Sequence, residues 1–103
     1  MMNELGKKVV EINTANGWNV TTPADWNDPY KIPAVLMLVV TEVAEATEGF
    51  RHNDHDNFAE ECADIVIRML DLTTGLGIDL EAAILAKLVK NKQRGFKHGG
   101  KRI

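Results

Sequence analysis

The sequence predicts an all-α protein whose protomer resembles an antiparallel four-helix bundle and assembles into an oligomer. Three observations support this prediction. Apolar residues recur every three or four positions in four segments, no segment alternates as a strand would, and glycine and proline mark the joints. A chain of 103 residues has too few residues for a second core, so we expect one domain over residues 1–103.

The first helix is predicted from Met2 to about Ala15, because Leu5, Val9 and Ile12 share one face. The pair at positions 16–17, Asn-Gly, ends it. The first element therefore presents a single apolar face for packing.

Residues 18–32 are predicted to form a loop holding two tryptophans, since Pro23 and Pro29 interrupt any regular pattern. Pro33 suits the first turn of a helix, where its missing N–H costs nothing. The second helix is predicted from there to about Phe50.

The third helix is predicted from about Asp56 to Thr74, after a polar stretch that supplies N-caps. Gly75 and Gly77 end it. For the fourth helix, through about Gln93, we expect Asp79 as N-cap and an apolar stripe at four-residue spacing, formed by Leu80, Ile84 and Leu88. The last nine residues are predicted to be irregular.

The composition indicates a globular protein, with 45% hydrophobic and 26% charged residues. The apolar run at 34–40 is too short to cross a membrane, and residues 1–8 lack the apolar stretch of a signal peptide. Cys62 is the only cysteine, which excludes an intrachain disulfide. We therefore expect a cytoplasmic protein with no membrane partner. Because the second helix is apolar around much of its circumference, we also expect a homodimer or homotetramer.

Charge is distributed unevenly along the chain, although the net charge is only −3. Eleven of the fifteen acidic residues lie at positions 42–81, whereas seven of the twelve basic residues follow position 86 with no acidic residue among them. The negative sum argues against a nucleic-acid polymer as partner. A protein that binds a metal–triphosphate complex needs acidic residues for the cation and basic residues for the phosphates. A solvated acidic surface followed by a loose basic tail explains the charge runs as well.

Two pairs of carboxylates stand at three-residue spacing, so each pair shares a face of its own helix: Glu42 with Glu45, and Glu61 with Asp64. An antiparallel hairpin can bring the pairs together. Their apolar neighbours indicate a site near the interior, where four ionised carboxylates need a counter-charge. Oxygen ligands favour Mg²⁺, with Mn²⁺ able to substitute. The alternative is a set of exposed glutamates in intrahelical ion pairs.

Other metal sites fit the sequence less well. A di-iron bundle uses Glu-x-x-His motifs, and the chain contains none. His52 and His55 fall in an interhelical turn without a cysteine or a further histidine to complete a zinc site. We interpret both as solvated turn residues.

These residues resemble the EExxE, spacer, ExxD motif of the all-alpha NTP pyrophosphatase superfamily, the MazG-like proteins. The motif stands here as Thr41-Glu42-Val43-Ala44-Glu45 and Glu61-Cys62-Ala63-Asp64. The fourth helix carries the counterpart of a KxxxNxxR element in Lys87, Asn91 and Arg94. The resemblance covers about residues 33–94, with one departure, because Thr41 replaces the first glutamate.

The resemblance implies a Mg²⁺-dependent nucleotide pyrophosphohydrolase that converts a (d)NTP to (d)NMP and pyrophosphate, a nucleotide-pool house-cleaning activity with a dNTP preference. It implies that the four carboxylates, Glu42, Glu45, Glu61 and Asp64, are metal ligands and catalytic residues, with Glu45 or Glu42 as general base. It also implies phosphate binding by Lys87, Asn91 and Arg94. Their alternative role is to complement the helix dipole.

For recognition of the base, the sequence offers Trp18, Asn13 and Phe50, since aromatic rings stack on bases and amides read their edges. Trp18 can equally fill a gap where the loop covers the bundle, and for Trp26 this packing role is the favoured interpretation. The basic tail from Arg94 to Arg102 is predicted to close over phosphates, to reach a neighbouring subunit or to be disordered.

Two other classes of function fit the same residues. A non-catalytic nucleotide-binding or regulatory module of the same fold is consistent with the missing glutamate at Thr41. A helical interaction protein, such as a small antitoxin-like partner, would carry its carboxylates only on a solvated surface. Metal-dependent hydrolysis separates the enzyme from both.

Overall fold

The computed structural model describes residues 1–95 and contains four α-helices. They are α1 (Met2–Ala15), α2 (Lys31–Arg51), α3 (His55–Gly75) and α4 (Leu80–Arg94), with a short 3-10 helix, Pro23–Asn27, between the first two. This described part of the chain has no β-strand. The prediction of an all-α fold with four helices is confirmed.

The predicted loop at residues 18–32 is wrong at its end, because α2 begins at Lys31 and makes Pro33 its third residue. Asp28 explains the early start. Its Oδ1 accepts hydrogen bonds from the backbone N–H of Tyr30 at 2.8 Å and of Lys31 at 3.1 Å, which satisfies free donors at the helix start. The same loop also contains the 3-10 helix, which the sequence analysis missed.

The other helix ends agree with the predictions to within one or two residues. Asp54 caps α3 by accepting a hydrogen bond from the N–H of Asn57 at 3.0 Å, so the helix starts at His55 and not at Asp56. Asp79 caps α4 as predicted, accepting from the N–H of Ala82 at 2.9 Å. Local side-chain chemistry therefore sets both helix starts.

The helices α2 and α3 form an antiparallel hairpin, joined by residues 52–54, and make the most extensive packing of the chain. Gly49 permits their close approach near the turn, since a Cβ there would lie 3.1 Å from the backbone nitrogen of Phe58. The helix α1 also packs against α3. The buried apolar side chains are Val9, Ala46, Leu70 and Leu72, and Leu70 is only 1% exposed.

The helix α4 is held mainly at its first turn. Glu81 accepts hydrogen bonds from the terminal amino group of Met1 at 3.1 Å and from the N–H of Met2 at 2.6 Å, while Asp79 accepts one from Asn3 at 2.9 Å. No residue of α4 is buried. Two residues of its apolar stripe, Ile84 and Leu88, are exposed.

The protomer is open and exposes much apolar surface. Its accessible surface is 8076 Å², whereas a compact monomer of this mass exposes roughly 5,800 Å². Large apolar side chains are exposed on α2 and α4 in particular, namely Leu36, Met37, Leu38, Val40, Val43, Phe50, Ile84, Leu85, Leu88 and Val89. Among residues 1–95, no helix is long and apolar enough to cross a membrane.

The contact between α1 and α3 depends on Gly6. A Cβ at this position would collide with the hydroxyl of Thr74, but would stand 3.8 Å from Leu70, an ordinary contact. We expect Gly6→Ala to destabilise the protein by about 1–2 kcal/mol through overpacking. Adding Thr74→Ala should restore most of this loss, because alanine favours the helix over glycine by about 1 kcal/mol. Urea denaturation of both single variants and the double variant measures the coupling, and simple additivity would contradict the prediction.

Candidate functional site

Three of the four predicted carboxylates come together where α2 faces α3. Glu42, Glu45 and Glu61 each offer an oxygen atom, and the three oxygens lie within 4.8 Å of one another. The spacing of one helical turn places the first two on the same face of α2, and the antiparallel hairpin places Glu61 opposite them. We call these three residues the carboxylate cluster.

The cluster is electrostatically asymmetric. Glu42 is only 8% exposed, and its Oε1 accepts a hydrogen bond from Nε of Arg68 at 3.0 Å. This hydrogen bond holds the pKa of Glu42 below its usual range. Glu42 is therefore ionised even without a bound cation, and Arg68 supplies its counter-charge.

Glu61 has the opposite environment. The hydrogen bond that its carboxyl shares with Glu42, its burial and the nearby charge of Glu45 raise the pKa of Glu61 to about 7. Its Oε2 is buried and has no hydrogen-bond partner among the described residues. A buried carboxylate oxygen without a donor is costly, so this position favours a proton or a cation.

The cluster fits a hard divalent cation. Its potential ligand atoms are all carboxylate oxygens and they converge, and Oε2 of Glu61 has no hydrogen-bond partner among the described residues. Mg²⁺ and Mn²⁺ prefer such ligands. Asp64 lies outside this group of three and borders the cavity beside it, so its role as a ligand stays a prediction.

A cavity of about 500 Å³ adjoins the cluster and shares Glu42 with it. Small-molecule sites commonly have this size. Three elements and the loop after α1 form its wall, which consists of Asn13, Trp18, Asn19, Thr21, Val35, Leu38, Glu42, Asp64, Ile67, Arg68 and Asp71. The wall therefore combines aromatic and aliphatic side chains with amides and charges.

The structure separates the residues predicted to bind the base. Trp18 and Asn13 line the cavity, on the loop after α1 and on α1 itself. Phe50, which is 75% exposed near the end of α2, is not part of the wall. Trp26 is also exposed and outside it.

The residues predicted to bind phosphate all lie on α4 and are exposed: Lys87, Asn91 and Arg94. None of them lines the cavity. The basic tail beyond Gly95 lies outside the described residues. A phosphate role for α4 thus stays a prediction, with a second copy of the chain as one source of these side chains.

Thr41 occupies the position of the missing glutamate. Its hydroxyl donates a hydrogen bond to the carbonyl oxygen of Met37 at 3.1 Å, within its own helix. Both histidines are exposed, but only His52 lies in the turn, because His55 is the first residue of α3. Nδ1 of His52 lies 2.8 Å from the carbonyl oxygen of Glu48. These residues take part in neither the cluster nor the cavity wall.

Two charged residues of the cavity wall, Arg68 and Asp71, were not predicted from the sequence. Both follow Asp64 at spacings of four and seven residues, which place the three side chains on one face of α3. This spacing was the signal in the sequence from which both residues could have been predicted to lie beside Asp64.

No family model matches the chain, and a search of curated proteins and of solved structures gave no significant match for it either.

The raised pKa of Glu61 makes the stability of the metal-free protein depend on pH. The unfolded chain has an ordinary pKa near 4.5, and the folded one about 7. The stabilising contribution is therefore fully present below pH 4.5 and is lost as pH rises through about 7. The lowered pKa of Glu42 acts at lower pH, where its contribution disappears as the carboxylate becomes protonated.

We expect the melting temperature of the metal-free protein to fall between about pH 5 and pH 8. In Glu61→Gln this fall should be smaller, since glutamine carries no charge and can still donate to Glu42. Glu60→Gln, an exposed neighbour on α3, is the matched control and should behave as the wild type. Mg²⁺ should raise the melting temperature more at the higher pH. An equal fall in Glu61→Gln would contradict the assignment.

Proposed function

We propose that the chain is a Mg²⁺-dependent nucleoside triphosphate pyrophosphohydrolase of the MazG-like kind. The supporting observation is the carboxylate cluster, with its buried unpartnered oxygen on Glu61, beside a cavity of about 500 Å³ that contains Trp18 and Asn13. A cation site next to a nucleoside-sized cavity suits a metal–nucleotide complex. The short motifs around Glu42 and Glu61 agree with this chemistry.

In the proposed reaction, water attacks the α-phosphorus of a (d)NTP, the bond to the bridging oxygen breaks, and (d)NMP and pyrophosphate form. Glu42, Glu45 and Glu61 would hold the cation, with Asp64 as a further proposed ligand. When bound, the cation would supply charge neutralisation for the phosphates and a lowered pKa for a neighbouring water. Glu45, the most exposed of the cluster, or Glu42 takes the proton from the attacking water.

Arg68 has two roles in this proposal. Its hydrogen bond keeps Glu42 ionised and ready to bind a cation. Because its guanidinium also lines the cavity, it offers positive charge to the phosphate nearest the nucleoside. Lys87, Asn91 and Arg94 are proposed to contact the outer phosphates, from the same protomer or from a partner copy.

The proposed assembly is a homodimer or homotetramer. The exposed apolar side chains of α2 and α4 and an accessible surface well above that of a compact monomer support it. Light scattering during size-exclusion chromatography should give two or four times the chain mass of 11.4 kDa. A monomer at micromolar concentration would contradict the assembly and leave the chemistry to be tested separately.

The function is tested with a panel of NTPs and dNTPs, with Mg²⁺, with Mn²⁺ and with EDTA. We expect metal-dependent formation of the monophosphate and pyrophosphate in equal amounts, fastest with a deoxynucleotide. Formation of diphosphate and orthophosphate would assign a different bond, and no turnover by a folded protein would contradict the enzyme.

A second function is a non-catalytic nucleotide-binding module. Thr41 favours this function, because it stands where the motif has its first glutamate, so one carboxylate is missing. Its hydroxyl instead donates a hydrogen bond to the carbonyl oxygen of Met37 in the same helix. This module would be stabilised by Mg²⁺ with a non-hydrolysable triphosphate but would release no pyrophosphate.

A further inference from the structure

One acidic group of the cavity wall is not used by the cation site or by the proposed hydrolysis. Asp71 lies on α3, seven residues beyond Asp64, and lines the cavity together with Asn13 and Thr21. Its Oδ1 is buried and has no hydrogen-bond partner within residues 1–95. Burying a carboxylate oxygen without a donor opposes folding, and a donor that reaches the Asp71 carboxylate from the cavity would offset part of this cost.

The position of Asp71 indicates which part of a ligand it meets. Seven residues of α-helix advance about 10 Å, so Asp71 stands well away from Asp64 and from the carboxylate cluster. Under the proposed function, a nucleotide whose phosphates lie at the cluster would extend its nucleoside along the cavity wall that includes Asp71. Leu38 and Ile67 form apolar parts of the same wall.

A carboxylate accepts hydrogen bonds and donates none. The partner of Asp71 must therefore carry an N–H or O–H. In a nucleoside this is an amino group or ring N–H of the base, or a hydroxyl of the sugar. The amide of Asn13 lines the same cavity and can read an adjacent donor or acceptor.

We infer that Asp71 is a specificity-determining residue, which accepts a hydrogen bond from an N–H or O–H of the substrate's nucleoside. The inference rests on the proposed function for the orientation of the nucleotide. The cavity should therefore prefer ligands that place a hydrogen-bond donor next to Asp71.

The test measures binding of nucleosides in EDTA, without phosphate or metal, so that it is independent of hydrolysis. Trp18 reports on the cavity by its fluorescence, and Trp26→Phe removes the other tryptophan. Cytidine, uridine and adenosine are compared with N4,N4-dimethylcytidine, 3-methyluridine and N6,N6-dimethyladenosine, which lack a base donor. The 2′-deoxy and 2′,3′-dideoxy nucleosides, which lack one or two sugar hydroxyls, test whether the sugar supplies the donor.

In the wild-type background, removing the right donor should weaken binding roughly 10- to 100-fold, the loss expected for a hydrogen bond to a charged group. In Asp71→Asn, which keeps the shape of the side chain, and in Asp71→Ala this difference should disappear. Asp56→Asn, at an exposed position of the same helix, should keep it. The arm that shows the effect tells whether base or sugar supplies the donor.

The inference is overturned if no nucleoside changes the fluorescence of Trp18. It is also overturned if both Asp71 variants keep the full difference in affinity between the paired nucleosides, as expected if Asp71 binds only an ordered water. Asp71-dependent binding without any hydrolysis would support the inference and contradict the proposed enzyme. Hydrolysis without Asp71-dependent selectivity would do the reverse.

Discussion

Replacing Glu45 by glutamine should reduce metal-dependent pyrophosphate release by about 1000-fold, within the range expected for loss of a metal ligand or a general base. Glutamine preserves the size of the side chain but removes its charge. Since Glu45 is exposed on α2, the substitution should leave the fold intact. Initial rates with the preferred triphosphate at saturating Mg²⁺ measure the effect.

The matched control is Glu48→Gln, three residues along α2. Glu48 is exposed and pairs with Arg51 at 3.0 Å on the surface, outside the carboxylate cluster. Surface pairs of this kind contribute little to stability. The control should retain nearly the full rate. Equal activity of both variants would remove Glu45 from the site and would contradict the proposed use of the cluster.

Truncating Leu70 to alanine should destabilise the protein by about 3 kcal/mol, because it removes a buried side chain and leaves a cavity. Leu70 is only 1% exposed, on the face of α3 that packs against α1 near Gly6. For a domain of this size the loss corresponds to a melting temperature lower by on the order of 15 °C. Thermal and urea unfolding at fixed protein concentration measure it.

Ile12→Ala is the control for Leu70. Ile12 is 53% exposed on α1, so its truncation should cost less than about 1 kcal/mol. If Leu70→Ala were as stable as this control, the packing of α1 on α3 would have to be different from the one described.

The helices were predictable from the sequence because their signals are local. Asp54 and Asp79 follow the usual chemistry of N-caps, and the apolar periodicity located all four helices to within a few residues. The start of α2 was the exception. There the side chain of Asp28 caps two backbone N–H groups and moves the helix start two residues ahead of Pro33.

Part of the site was predictable as well. Glu42, Glu45 and Glu61 were expected to meet because two spacings of three residues and a hairpin place them on facing surfaces. The cavity was not predictable in this way. Its wall joins α1, the following loop, α2 and α3, and the contribution of Asp71 depends on how these elements pack.

The sequence by itself determined the helical class, the caps and the carboxylate spacing, since each depends on residues a few positions apart. Only the tertiary structure decided which groups are paired. In the folded chain, Glu42 accepts a hydrogen bond from Arg68, whereas Oε2 of Glu61 has no partner among the described residues. Trp18 lines the cavity, and Phe50 does not. Burial and partner choice depend on contacts between distant segments, and periodicity along one helix carries no information about them.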